Sequence, residues 1–347
     1  MDVEVRFRAP EAAQHETSTI ETGSRGRLVL ACLNGSELGE DVVPHALAVA
    51  RAFEVPVTLL RVLECPAAGT APSDPMEWEI RRSEAREHLD RIVQGKRGAY
   101  DALDAELVEG HAAEQICRWV QHHDVGVTVL SSHGASGATQ WSLASTARKL
   151  VDRVPGSFML IPATADRIAD DVAGYRSILV PMDGSARAES VLPVVARLAT
   201  TGGAEVVLGH VVPVPELTEI GPLDSEAIEL RERLVDRNER VACAYLDRLR
   251  SQLAASGITV RTIILRAPDV RSRLARLIVD ENADLVVLSA HGRRGRADVP
   301  FGSVVEYLLA HARTPLLILR EDTPRVATRP PRALPCDGMR LPSQAAP

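Results

Sequence analysis

The chain of 347 residues is long for one domain and sufficient for two. Hydrophobic residues make up 45% and charged residues 25%, which is the balance of a globular protein with a sizeable core, not of a disordered or fibrous one. A net charge of -7 excludes a broadly basic nucleic-acid or anionic-membrane binder and leaves room only for a local basic pocket.

In chain order, residues 1–26 (MDVEVRFRAPEAAQHETSTIETGSRG) hold no apolar h-region and read as a polar, disordered tail, not a secretory signal. RLVLACLNGS then opens a first domain, 27–162, with an apolar strand, a turn at Asn34 and a helix that Pro44 starts late or kinks. Val57-Thr58-Leu59 marks the second strand. A charged helix is expected around 74–94, where Glu84 and His88 form an i, i+4 pair. His122-His123-Asp124 falls at a helix C-terminus, where imidazole suits the dipole and no third ligand is evident, so no metal site is expected. SSHGASGATQWSLASTARKLV, 131–151, follows the fourth strand, and 158–161 is a short apolar last strand. A linker poor in apolar residues, 163–175, leads to a second domain, 176–320. Its strands are expected at 177–182, 205–212, 259–265, 285–289 and 316–319, with helices near 188–199, 225–255, 270–281 and 303–310. The longest helix shows Leu234, Ala242, Tyr245, Leu249 and Leu253 along one stripe, its charges forming a solvated face. Residues 321–347 are proline-rich without hydrophobic periodicity and read as a second disordered tail.

The two domains are repeats of one another. Asn34 and Asp183 stand 149 positions apart, as do Pro44 and Pro193; farther on, His133-Gly134 and His291-Gly292 stand 158 apart. The second copy therefore holds nine extra residues, which the longest helix accommodates. Apolar strands alternating with helices specify an α/β fold, with two tandem domains, each a five-stranded parallel sheet carrying helices on both faces. The scattered cysteines (Cys32, Cys65, Cys117, Cys243, Cys336) have no C-x-x-C spacing, which argues against a disulfide framework and for a reducing cytoplasm. No apolar run reaches the length of a membrane span, so no membrane partner is expected.

With a strand order of 3-2-1-4-5, the order reverses between strands 1 and 4, where open parallel sheets bind ligands. Two unusual segments converge there in the second copy: SILVPMDGS, ending on Asp183, and SAHGRRGRADVPFGSVVEYLL, 289–309. Gly292 permits a sharp turn and close backbone approach. Gly302-Ser303 opens a helix whose first N–H groups favour an anion, and Arg293, Arg294 and Arg296 add charge. Asp183 repels phosphates but suits a ribose hydroxyl or an adenine amino group. Together these describe a nucleotide with its base near strand 1 and its phosphates near the strand-4 loop. Each element also has a plainer use: Gly292 as a turn residue, Ser303 as a helix cap, Asp183 as an Asx-turn, the arginines as a solvated loop. His291 and His133 are read as structural loop residues whose backbone lines the crevice. Neither a P-loop nor a dinucleotide G-x-G-x-x-G signature is present, nor a nucleophile–base pair.

ILVPMDGS, ADLVVLSAHGRRGR and FGSVVEYLLAHARTPLLIL resemble the universal stress protein family, in a tandem UspA-like form covering both repeats. The ATP-binding branch of that family carries G-x2-G-x9-G-[ST]; here Ser289 replaces the first Gly, and Gly292, Gly302 and Ser303 match. The resemblance implies an adenine nucleotide alpha hydrolase-like, Rossmann-like sheet. It also implies adenine and ribose contacts from Pro181, Met182, Asp183 and Val211, and phosphate contacts from Gly292, Arg293, Gly302, Ser303 and Val304. In the first repeat Asn34 replaces the Asp, Ser131 the first Gly and Ala144 the last Gly, while Gly134 and Ser145 remain. That copy is expected to bind nucleotide weakly or not at all. The family also pairs domains through their last strands, here 158–161 and 316–319, which allows an internal pseudo-dimer or a homodimer.

The leading expectation is thus a cytoplasmic stress or regulatory protein that binds ATP, accompanied by magnesium, and uses it to modulate conformation or the binding of a protein partner. The alternatives are a slow ATP hydrolase in the same crevice, against which the missing catalytic base counts, and a nucleotide-free dimerising scaffold.

Overall fold

A computed structural model describes residues 28–64, 74–132, 145–162, 165, 174–217, 224–292 and 300–320. His133, Gly134, Arg293, Arg294, Arg296 and both terminal tails lie outside these residues. The first half runs β1 (Leu28–Leu33), α1 (Glu37–Glu40), α2 (Val42–Phe53), β2 (Val57–Leu63), α3 (Pro75–Lys96), β3 (Leu103–Glu109), α4 (Ala112–His122), β4 (Val125–Ser131), α5 (Ser145–Arg153) and β5 (Ser157–Ile161). The second repeats it as β6 (Ser177–Pro181), α6 (Ala186–Glu189), α7 (Leu192–Gly202), β7 (Glu205–Pro213), α8 (Ser225–Ala254), β8 (Val260–Ala267), α9 (Val270–Asp280), β9 (Leu285–Ser289), α10 (Ser303–His311) and β10 (Leu316–Leu319).

The ten strands form one sheet in the order β3-β2-β1-β4-β5-β10-β9-β6-β7-β8. Each half contributes five parallel strands in the 3-2-1-4-5 order, and the halves meet where β5 and β10 pair antiparallel, Phe158 opposite Ile318 and Leu160 opposite Leu316. β5 and β10 each have a strand on both sides, so the pairing that the repeats allow is made within one chain. The central strands are buried almost throughout, whereas the outermost, β3 and β8, are largely exposed or half-buried, as edge strands with one covered face must be.

Two apolar layers cover the sheet. One packs α2, α3, α7 and α8 on one face, and the other packs α4, α5, α9 and α10 on the opposite face. Both layers run across the junction of the halves. His45 of α2 reaches Tyr175 at 2.9 Å, with both side chains buried. On the other face, the Arg320 guanidinium hydrogen-bonds the carbonyls of Val151 (2.7 Å) and Val154 at the end of α5 and lies over the rings of Phe158 and Phe301. These free helix carbonyls favour a cation.

Three details differ from expectation. The helix expected at 188–199 is two, α6 and α7, so that Pro193 sits in the first turn of α7, where its missing N–H costs nothing. The buried stripe of α8 is Val235, Ala242, Leu246, Leu249 and Leu253; Leu234 is 42% exposed. His88 is not paired with Glu84 but reaches across to α1, as described below. Among the described residues, no helix is long and apolar enough to cross a membrane.

Candidate functional site

The strand order reverses between β6 and β9, and there a cavity of about 1000 Å³ opens at their carboxyl ends. Nine of the eleven residues singled out in the second repeat line it: Pro181, Met182, Asp183, Val211, Ser289, Gly292, Gly302, Ser303 and Val304. His291 lies beside it, and Arg293 is outside the described residues.

Asp183 follows β6 in a tight turn through Gly184, whose φ is +76°. Its Oδ1 accepts from the Ser185 backbone N–H at 3.0 Å and from the Ser185 hydroxyl at 2.6 Å, while Ser185 Oγ caps α6 by accepting from Ala188 N–H. The Asx-turn reading of Asp183 is therefore correct for one carboxylate oxygen. The other, Oδ2, faces Gly292 so closely that a Cβ there would sit 2.4 Å from it. Gly292 is needed for that approach, since its φ is not in the left-handed region.

The serine in place of the first glycine has a structural use. Ser289 Oγ donates to the His291 carbonyl at 2.7 Å and pins the turn after β9. The Gly302 N–H donates to the Ala290 carbonyl, so the segment leading into α10 is tied back to the same turn. α10 then starts with no side-chain cap, and its first N–H groups, from Ser303 onward, have no partner within the helix. On the β7 side, His210 Nδ1–H donates to the Met182 carbonyl at 2.7 Å, which holds the imidazole against the backbone and leaves the crevice open.

The outer wall comes from α8, through Arg237, Asn238, Val241, Ala242 and Tyr245, none of which the motifs point to. One signal was legible: Val241 lies off the buried stripe and is 58% exposed, an apolar residue with no core to join. The Tyr245 hydroxyl is buried and forms no hydrogen bond of normal geometry with any described residue. Burial, then the charge of Glu189 and a poorly aligned contact of the hydroxyl with that carboxylate, raise its pKa, so the phenol stays protonated and remains a donor. Leaving such a group unpaired costs about 1–3 kcal/mol.

The first half builds the same turn and sets an arginine beside it. Asn34 Oδ1 accepts from the Ser36 N–H at 3.0 Å and the Ser36 hydroxyl at 2.7 Å, as Asp183 does with Ser185. At the position of His210 stands Arg61, whose guanidinium lies against Gly35; a Cβ there would be 2.6 Å from Nη2. Arg61 Nη1 donates to His88 Nδ1 at 3.1 Å, which leaves the other ring nitrogen, Nε2, to donate to Glu40 Oε1 at 2.7 Å. Burial lowers the Arg61 pKa. Ser131 ends β4 and Ser145 begins α5, as their motif positions require, while His133 and Gly134 lie outside the described residues.

Comparison with known proteins agrees with this architecture. A family model, described as the universal stress protein family, matches residues 26–162 and again 174–320. The chain belongs to the universal stress protein family. It is 26% identical over 282 residues to a universal stress protein of Mycobacterium tuberculosis, covering 77% of this chain and 88% of that one. A universal stress protein of Methanocaldococcus jannaschii is 24% identical over 155 residues, 42% of this chain and 95% of its own. Among solved structures, a universal stress protein from Archaeoglobus fulgidus superposes with a TM-score of 0.57 at 17% identity, over 85% of this chain and 99% of its own. The tandem universal stress protein fold is thus shared along most of the chain.

Proposed function

We propose that this universal stress protein is a nucleotide-dependent regulatory protein that holds one ATP in the crevice of its second half, and that its first half serves as a built-in structural partner. The observation that carries this reading is the convergence on one cavity of Asp183 at one end and the uncapped start of α10 at the other, with Gly292 and Gly302 between them. A carboxylate accepts from sugar or base donors and repels phosphate, whereas a helix N-terminus attracts it, so the two ends orient a nucleotide in one sense. Pro181, Val211, Val241 and Ala242 supply apolar wall for the base. The cavity is large enough for a nucleoside triphosphate.

The chain's own residues bind and orient; among those described, no group of three His, Cys, Asp or Glu is placed to cage a metal. Magnesium would accompany the phosphates and neutralise part of their charge, keeping most of its own water. The first half has Arg61 at the position of the cavity-lining His210, which favours a scaffold role for that half. Domain limits of 27–162 and 176–320, joined by 163–175, follow from the same division, and a cytoplasmic location suits the free thiols of Cys32, Cys117 and Cys243.

The test is to denature the purified protein and chromatograph the released nucleotides. ATP, in an amount not exceeding one per chain, is the expected result. ADP accumulating with turnover would favour a hydrolase, and recovery of no nucleotide together with no uptake of added ATP would favour a scaffold.

A further inference from the structure

We propose that Tyr245, on α8, donates a hydrogen bond to a ribose hydroxyl of the nucleotide and works with Asp183 to select a ribonucleotide sugar. The inference rests on the ATP reading and adds to it a residue outside every motif of the family resemblance.

Three observations place Tyr245 in this role. It lines the same cavity as Asp183, close enough to that carboxylate to feel its charge. Its hydroxyl is buried in that wall and makes no hydrogen bond of normal geometry with any described residue. The neighbouring acceptor, Glu189, is drawn off by Arg248 at 2.9 Å, while the Arg248 guanidinium also lies 5.4 Å over the tyrosine ring and fixes it in place.

The repeat supplies the control. Tyr245 precedes the buried Leu246 of α8 as His88 precedes the buried Leu89 of α3, and Glu189 ends α6 as Glu40 ends α1. In the first half this position is fully paired, His88 joining Glu40 at 2.7 Å and Arg61 at 3.1 Å. In the second half Arg61 is replaced by His210, turned away onto the Met182 carbonyl, and the donor at position 245 is left to face the cavity. A buried phenol held rigid beside a carboxylate that accepts from hydroxyls fits a vicinal diol, since one hydroxyl then donates to Asp183 while the other accepts from Tyr245.

The experiment measures the affinities of the full chain for ATP and for 2′,3′-dideoxy-ATP, which lacks both hydroxyls, in the wild type and in Tyr245→Phe. The wild type is expected to prefer ATP at least about tenfold. Tyr245→Phe is expected to weaken ATP binding about fivefold or more with dideoxy-ATP affinity unchanged, which narrows the preference. Its thermal midpoint without nucleotide should change little, because the phenol makes no hydrogen bond of normal geometry to lose. A variant that keeps the full preference, or that loses both ligands equally together with its thermal stability, overturns the assignment. If the wild type binds both nucleotides equally, the hydroxyl assignment falls while the ATP reading stands; if it binds neither, the ATP reading itself has failed.

Discussion

Asp183 and Gly292 lie more than a hundred residues apart in sequence, yet a single methyl on Gly292 would sit 2.4 Å from Asp183 Oδ2. This contact joins the strand that carries the acceptor to the loop that leads to the start of α10, the proposed phosphate end. Gly292→Ala should therefore displace the Asp183 carboxylate and lower ATP affinity tenfold or more, while the fold, whose core this half-buried turn does not enter, stays intact. Calorimetric titration with ATP, beside a circular dichroism melt, checks both halves of this statement.

Ser303 separates helix capping from ligand binding. An acidic side chain in the first turn of a helix stabilises it, by about 0.3–1 kcal/mol, but repels a phosphate placed there. Ser303→Asp should thus hold or raise the thermal midpoint without nucleotide and abolish the further rise that ATP produces. A thermal-shift titration reads both effects in one series.

Arg61 marks the difference between the halves. Arg61→Ala should leave the ATP affinity of the chain unchanged, since the second crevice is untouched. It should lower stability by about 1–2 kcal/mol, because His88 Nδ1 loses its donor. Urea denaturation and an ATP titration on the same preparation provide the comparison.

His45 gives the fold a defined acid sensitivity. Burial lowers its pKa from 6.5 to about 4, so in the native state it stays neutral against Tyr175. The unfolded chain takes up a proton near pH 6.5 and the folded chain does not. The stability contributed is complete above that value and is lost as the pH falls from about 6.5 to about 4, by up to about 3 kcal/mol. His45→Gln, which retains a polar partner for Tyr175, should flatten this part of the pH profile measured by urea denaturation.

Much of the fold was legible because it repeats. The 149-residue and 158-residue offsets gave two copies, and their apolar runs gave the strands. Asp183, Gly292 and Ser303 were legible because turn chemistry and helix starts leave local marks. What local spacing did not reveal was partnership across the fold. Glu84 and His88 have the spacing of a helical pair, but His88 turns to Glu40, which the β1–α1 turn brings to within 2.7 Å. The α8 wall was missed for the same reason: Val241 and Tyr245 sit on a helix whose buried stripe was placed one residue early, at Leu234 instead of Val235. Ser289, which breaks the glycine pattern, uses its hydroxyl to tie the turn to the His291 carbonyl.

The central claim is that the second half of a duplicated fold binds a nucleotide and that the first, with Asn34 and Arg61 at the positions of Asp183 and His210, does not. Isothermal titration of ATP into nucleotide-free protein tests this most directly. The account predicts saturation at about one ATP per chain, unchanged in Arg61→Ala and lost in Gly292→Ala. Saturation at two per chain, or binding that survives Gly292→Ala but disappears in Asn34→Ala, would contradict it.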